Sequence, residues 1–410
     1  MATQLLSNTG NALRLFYAPM MTRSLNNKVP LYQRLKDAKV EDIKLEGQDL
    51  VCYIPVHTKR NQGIGWYSEG GTFPTARARS YSQMKAGLGY IGGSFNISGQ
   101  LMAAAESNQH AFVKAVTEDM KDLQDGLTTE VGRAFWGDGS GALCTISEAS
   151  GSVVAGSYIT VDNAAQLEPG MRIDSYDYKT GGTQGLNSVV IDQVDYNNNK
   201  FTLTATATVK QNDLVFREDS RGNYCMGLLG IVDGADSSGN YILSTFQNTA
   251  RSSNLWAGAN VLDNAGSNRS ISVSLIQQAF ERSEIISGDS PTVILSSYGV
   301  RRAYFDLCQA DKRYINMKTI DGGFTALEYS GGSAPIPWIA DRMCWKNRVF
   351  FLHEPELKKY NATNGIKFAD ADGAVLARAS DDSYDARAVC YITLGCHKPQ
   401  SNTVLRDITE

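Results

Sequence analysis

One apolar stripe restricts this chain more than any other feature. Between residues 107 and 136, Phe112, Val116, Met120, Leu123, Leu127, Val131 and Phe135 recur every three or four residues, and Lys, Asp, Glu and Thr fill the other positions. That spacing places the seven side chains along one face of an α-helix. Ser107 stands where an N-cap is expected. At 1.5 Å per residue the helix is about 40 Å long, more than most globular helices. The stretch FWGDGSGAL at 135–143 follows at once. It is no phosphate loop: a P-loop needs a lysine before Ser or Thr, and it runs into a helix N-terminus rather than out of a C-terminus. Ser140 is no nucleophile-elbow serine either, because Asp138 stands where a glycine is required. Gly137 or Gly139 is read as the residue that ends the helix at positive φ.

The second constraint lies upstream. DLVCYIPV (49–56) and GSFNIS (93–98) read as strands, and the 36 residues between them are rich in glycine and polar side chains. A structureless loop of that length is unusual in a compact domain. Trp66, Tyr67 and Phe73 argue against a solvated linker, so the stretch is expected to be a projecting hairpin whose partner is another chain. GLGYIG at 87–92 matches the dinucleotide fingerprint letter for letter, but it precedes a strand instead of opening a helix, and is read as a strand entry.

Further along, residues 152–218 carry four or five short strands, with DYNNNK (195–200) as a hairpin turn. Lys200 and Thr206 stand where a calcium loop needs Gly and Glu. FADADG (368–373) is read as an Asx turn through Asp370 and Asp372. Residues 270–287 and 298–314 read as helices and 290–297 as a buried strand. Short strands follow in TALEYSG, PIPWIAD, NRVFFLHE and GIKFAD, and RAVCYITLGCHKPQ (387–400) is the last.

No active site assembles from these residues. The four histidines stand at no metal-binding spacing, and the seven cysteines, odd in number and widely spaced, form neither a zinc motif nor a disulfide framework. Cys396 and His397, adjacent on a strand, point to opposite faces. A net charge of −4 disfavours a protein that lives by gripping nucleic acid. The N-terminus lacks a secretory pattern, no run is long enough for a membrane span, and a reducing cytoplasm is the expected compartment of synthesis. No catalytic, cofactor-binding or metal residue is expected.

The order of parts resembles the major capsid proteins of tailed bacteriophages with the HK97-type fold. YIGGSFNISGQLMAAA leading into HAFVKAVTEDMKDLQDGLTTEVGRAFWGDGSG is similar to that family's extended loop and spine helix, and MGLLGIVDG (226–234) and VRRAYFDLCQADKRYIN…GGFTALEY…PIPWIAD also resemble it. The resemblance implies an α+β fold divided into an N-terminal arm (1–48), an extended loop hairpin with flanking strands (49–104), the spine helix of a peripheral domain (105–151), an inserted β domain (152–218), an axial domain with peripheral-domain strands (219–386), and a C-terminal strand and tail (387–410). It implies a shell built from hexamers and pentamers of the chain around double-stranded DNA touched weakly and non-specifically. A separate scaffolding protein, a portal and decoration proteins would be the other partners, the virion the location, and no cofactor or membrane would be involved. Trp66, Phe73, Arg77 and Arg79 are the expected inter-subunit contacts, since aromatics and arginine anchor interfaces. An encapsulin-like compartment is the alternative of the same fold. A β-rich enzyme or carbohydrate-binding protein would instead need a polar pocket around His353, Asp341 and Asp385.

Overall fold

A computed structural model of the chain describes residues 29–38, 40–47, 49–98, 109–177, 185–310, 317–320, 324–329, 335–363, 365–368, 376–378 and 383–410. Most of the predicted arm, the Ser107 cap, Asp370 and Asp372 lie outside the described residues.

The chain enters through α1 (Pro30–Arg34), started by a proline at its first position. Pro30, Leu31 and Tyr32 are buried, and Tyr32 stacks on Phe135 at 5.7 Å. Arg34 grips Glu354 with two bonds of 2.5 and 2.8 Å, so this part of the arm is fastened to the body. Strands β1 (Ile43–Glu46), β2 (Asp49–Lys59) and β3 (Ser80–Gly87) form an antiparallel sheet. The predicted excursion is therefore shorter than its sequence suggested: β2 runs on to Lys59, and SYSQMKAG is a paired strand that leaves only residues 60–79 unpaired.

Leu88, buried, separates β3 from β4 (Gly89–Ser98), which leaves that sheet for another. The predicted strand at 93–98 thus begins at Gly89. Helix α2 (Gln109–Trp136) packs on β4. Met120, Leu127, Val131 and Phe135 are buried and Leu123 packs partly, in accord with the stripe read from sequence. Its exit uses two glycines at positive φ, Gly139 (+91°) and Gly141 (+85°), which non-glycine residues reach only with strain.

The chain then builds β5 (Ala142–Thr145), β6 (Tyr158–Thr160), β7 (Arg172–Tyr176), β8 (Val189–Asp195), β9 (Lys200–Leu203) and β10 (Leu214–Arg217), in the order β5-β10-β7-β8-β9-β6. An antiparallel bridge between Ile146 and Val161 joins the two ends. The sheet is thereby closed into a six-stranded barrel, which leaves no open edge. Ile146, Ile159, Ile173, Phe201 and Val215, all buried in one cluster, fill it.

Beyond a one-turn helix at Leu228–Ile231 the chain forms β11 (Asn260–Leu262), α3 (Val273–Ser287), β12 (Val293–Ser296), α4 (Tyr298–Ala310), β13 (Met317–Ile320), β14 (Phe324–Tyr329), β15 (Ile336–Ala340), β16 (Val349–Leu352), β17 (Leu357–Asn361), β18 (Ser383–Cys396) and β19 (Thr403–Leu405). Helix α3 is capped by Ser272, whose Oγ accepts from Leu275 N, and ends at Gly288 with φ +78°. A seven-stranded mixed sheet runs β11-β19-β16-β12-β15-β14-β13. Helices α3 and α4 cover one face over Ile276, Phe280, Trp338 and Phe351; the other face meets the core shared with α1, α2 and the β2–β3 sheet. Strand β18 pairs with β4 along ten residues and with β17 on its other side.

Candidate assembly interface

The hairpin beyond β2 and β3 keeps its two limbs together without a ladder. A Cβ on Gly63 would stand 2.8 Å from Thr75 O and 2.9 Å from Arg77 N, so the limbs run in contact there. The tip closes at Ser68–Gly71, where Gly71 N donates to Ser68 O at 2.8 Å. Tyr67 and Phe73 face each other across it at 5.0 Å. The ordering ends there: Trp66 is fully exposed, Ile64 is 85% exposed and Phe73 74%. Arg77 and Arg79 are exposed too, and Arg79 lies 5.1 Å over the Tyr81 ring. The structure thus brings the four residues singled out from sequence onto one projection, and buries none of them in their own subunit. Ile64 was missed; a lone isoleucine between glycines carries no periodic signal. Large apolar side chains displayed together on a projection mark an interaction surface, and Lys59, Arg60, Arg77 and Arg79 against Glu69 make it cationic.

A groove with several carboxylates lies on the same chain. About 400 Å³ in volume, it runs between α2, β4 and residues 217–225, with Gly89, Gly92 and Gly93 along one wall and Asp122, Glu130 and Glu168 among its lining. Glu130 is its hub. Its carboxylate accepts from Arg133, from Arg217 and from Tyr224 Oη at 2.9 Å, and Arg133 reaches on to Glu168 at 2.7 Å. Burial and the adjacent Glu130 push the Tyr224 phenol far above its ordinary range. Sequence could not reveal this cluster, because its members come from α2, the barrel and the stretch after it. The exposed edge of α2 adds Glu118, Asp119 and Asp125.

The polar pocket considered from the sequence, around His353, Asp341 and Asp385, does not form. Asp341 follows β15 and His353 follows β16; the register Ser296↔Ala340 and Val293↔Leu352 puts them beyond opposite ends of β12, about 16 Å apart along the strand. Asp385 lies on β18, in another sheet. Asp341 accepts from Met343 N at 2.8 Å, and burial raises its pKa. His353 Nδ1 is 2.7 Å from Ser290 O. The Cys396 thiol is pushed up to about 12 by burial, and burial, followed by the nearby Lys358, lowers the pKa of His397. All seven cysteines are buried and free. Among the described residues no group of three or more His, Cys, Asp or Glu is placed to hold a metal, and no helix is long and apolar enough to cross a membrane.

No family model matches the sequence and no curated protein matches it. Among solved structures the chain is similar to the cyanophage A-1(L) capsid asymmetric unit, at 12% identity and TM-score 0.55 over 93% of each chain. It also matches the capsid of a native GTA particle at 8% identity and TM-score 0.46, covering 94% of this chain and 91% of that one. The holo-SrpI encapsulin complex from Synechococcus elongatus matches at 9% identity and TM-score 0.39, over 92% and 86%. The fold assignment rests on the first of these. Spanning nearly all of both proteins, this likeness shows the fold: the chain has an α+β fold of the HK97 type.

Proposed function

We propose that this chain is the major capsid protein of a tailed bacteriophage and that it assembles through hexamers and pentamers into a closed icosahedral shell around double-stranded DNA. The observation that carries the reading is the likeness to the cyanophage A-1(L) capsid structure, which spans 93% of both chains. The displayed hairpin supports it, because a shell subunit gains little from one strong contact and much from many modest ones repeated by symmetry. In this reading Trp66, Phe73, Arg77 and Arg79 contact a neighbouring copy, and the cationic hairpin seats near the acidic rim of that copy's groove. Residues 1–48 serve as the arm, 105–151 as the spine, 219–386 as the axial domain with peripheral strands, and the barrel as an insertion. Scaffolding, portal and decoration proteins would be separate partners. The virion would be the location, the host cytoplasm the place of synthesis, and the chain would catalyse nothing.

Negative-stain electron microscopy of the purified protein, alone and with the products of neighbouring genes, tests the reading. Rings of five and six or closed shells are expected. A strictly monomeric particle under all those conditions would overturn it.

A further inference from the structure

The closed barrel has no edge of its own, but a ribbon beside it has. Strands Gly151–Val153 and Ala207–Val209 pair only with each other among the described residues. Their register, Ala207↔Val153, Thr208↔Ser152 and Val209↔Gly151, sets alternate residues on opposite faces. Val209 is buried in the barrel core, and Val153 and Ala207 pack against that core; Ser152 and Thr208 face away and are exposed. The edge of Ala207–Val209 runs close to Gly185, where a Cβ would stand 3.6 Å from Thr208 O. The edge of Gly151–Val153 is open: among the described residues no backbone bond outside the ribbon falls on Ser152 or Val153. The turn that follows lies alongside, with Gly156 N donating to Leu203 O at 2.9 Å and Ala155 N to Thr206 Oγ1 at 3.3 Å. It displays Val154, 63% exposed, and Tyr158, 53% exposed.

This end of the barrel is uncharged. Residues 149–161 and 201–209 contain no acidic or basic side chain and no proline, and the ribbon has no bulge. Charges, prolines and bulges are what keep many exposed edges from pairing. The barrel as a whole is acidic: residues 142–222 carry ten acidic and six basic side chains, so the chain's entire net charge of −4 resides there. A cationic partner would be drawn to those acids and away from this end, whereas two barrels repel one another everywhere else. We propose that the uncharged end docks on the same end of a second copy. Gly151–Val153 pairs antiparallel with its counterpart across a two-fold axis, and Val154 and Tyr158 pack at the flanks. An edge placed across a two-fold axis completes itself, because backbone groups supply the bonds. A strand of three residues makes a weak contact, which gains weight through repetition by symmetry; for that repetition the inference rests on the shell reading.

Ser152→Cys in the full chain tests the contact, with Gln193→Cys, exposed on β8, as the control; the seven native cysteines are all buried. Each variant is oxidised as free subunit and as assembled particles and run on a gel without reductant. In particles Ser152→Cys should give at least about ten-fold more disulfide-linked dimer than Gln193→Cys, because paired edges hold their Cα atoms within disulfide reach. Adding Val154→Lys, an exposed change expected to move Tm by less than about 2 °C, should remove most of that dimer by setting like charges together. Particles without the Ser152→Cys crosslink, or with one that Val154→Lys leaves intact, overturn the contact and leave the shell reading standing. Crosslinked dimers from a chain that forms neither rings nor shells keep the contact and overturn the shell reading. Neither dimers nor particles overturns both. Ser152→Cys linked in particles only to a different protein assigns the edge to that protein and overturns self-pairing.

Discussion

Gly227 has no room for a side chain. A Cβ there would stand 2.3 Å from Ala134 O and 2.5 Å from Gly137 O, against the end of α2. Gly227→Ala must therefore push the helix terminus away from the stretch that follows the barrel. A loss of about 2 kcal/mol or more is expected, read as a lower urea midpoint at unchanged slope; an unchanged midpoint would refute the packing argument. His397 gives the residue scale a pH dependence. Its ring is half-buried, with Nδ1 3.5 Å from Pro55 O and Nε2 3.4 Å from Tyr360 Oη. Burial and Lys358 lower its pKa, against smaller opposing effects from the Pro55 carbonyl, Glu356 and Asp42. A histidine lowered by folding binds more protons unfolded, so its contribution is present above its ordinary value, near 6.5, and is lost as pH falls below it. Wild-type Tm should fall between pH 7.5 and 5.5 by more than that of His397→Gln; parallel curves would refute it. Individual residues were only partly legible. The exit from α2 was readable because positive φ demands glycine, and Gly139 supplies it. GLGYIG is the strand entry that the sequence reading made it, but the reason for Gly89 was not legible: a Cβ there would stand 2.5 Å from Cys225 N, a contact between segments more than a hundred residues apart.

Elements divided along the same line. Helix α2 was legible because its period is local and long. Strand β3 was not, since Ser, Gln and Lys outnumber its buried Met84 and Ala86; its partner β2 and the switch of sheets at Leu88 define it. The hairpin tip tests the assembly reading at this scale. Because Trp66 and Phe73 are exposed, the Trp66→Ser, Phe73→Ser double variant should keep the subunit's unfolding free energy within about 0.5 kcal/mol. The concentration needed for assembly should rise at least about ten-fold, as expected for lost interface anchors. Light scattering measures the second quantity and chemical unfolding the first; an unaltered assembly threshold would remove the hairpin from the interface. Strand β19 was missed for a different reason. Three residues in an apparent tail carry no pattern, yet β19 lies between β11 and β16, and Val404 and Leu405 serve the cores on opposite faces of the sheet. A chain ending at Asn402 should be insoluble, whereas one ending at Asp407 should remain soluble; solubility of the shorter chain would show β19 to be dispensable.

For the whole molecule, the barrel is the most separable part. Its strands close on themselves around a core of their own, and Ser140 O accepts from Gly222 N at 2.8 Å where the chain enters and leaves. An insertion whose ends already touch can be removed or replaced without stretching the host. The HK97-type order was readable from hairpin, helix and sheet in sequence; closure of the barrel was not, since it depends on the single bridge from Ile146 to Val161. Among the described residues its side-chain attachments include Arg217 to Glu130, Glu168 to Arg133, Gln166 Nε2 to Met343 O and Lys346 Nζ to Asn199 Oδ1. Residues 141–222 expressed alone should therefore give a dispersed amide NMR spectrum and a cooperative melt. The remaining chain, joined across Ser140 and Asn223 by two glycines, should fold but melt lower, because Glu130 and Arg133 lose partners in a half-closed groove. Replacing Glu130 by Gln in that shortened chain should lower the melting temperature further, since the buried Arg133 has already lost Glu168 and would be left with no carboxylate. An excised barrel without dispersion, or a shortened chain that does not fold, would mean that the barrel and α2 fold as one unit.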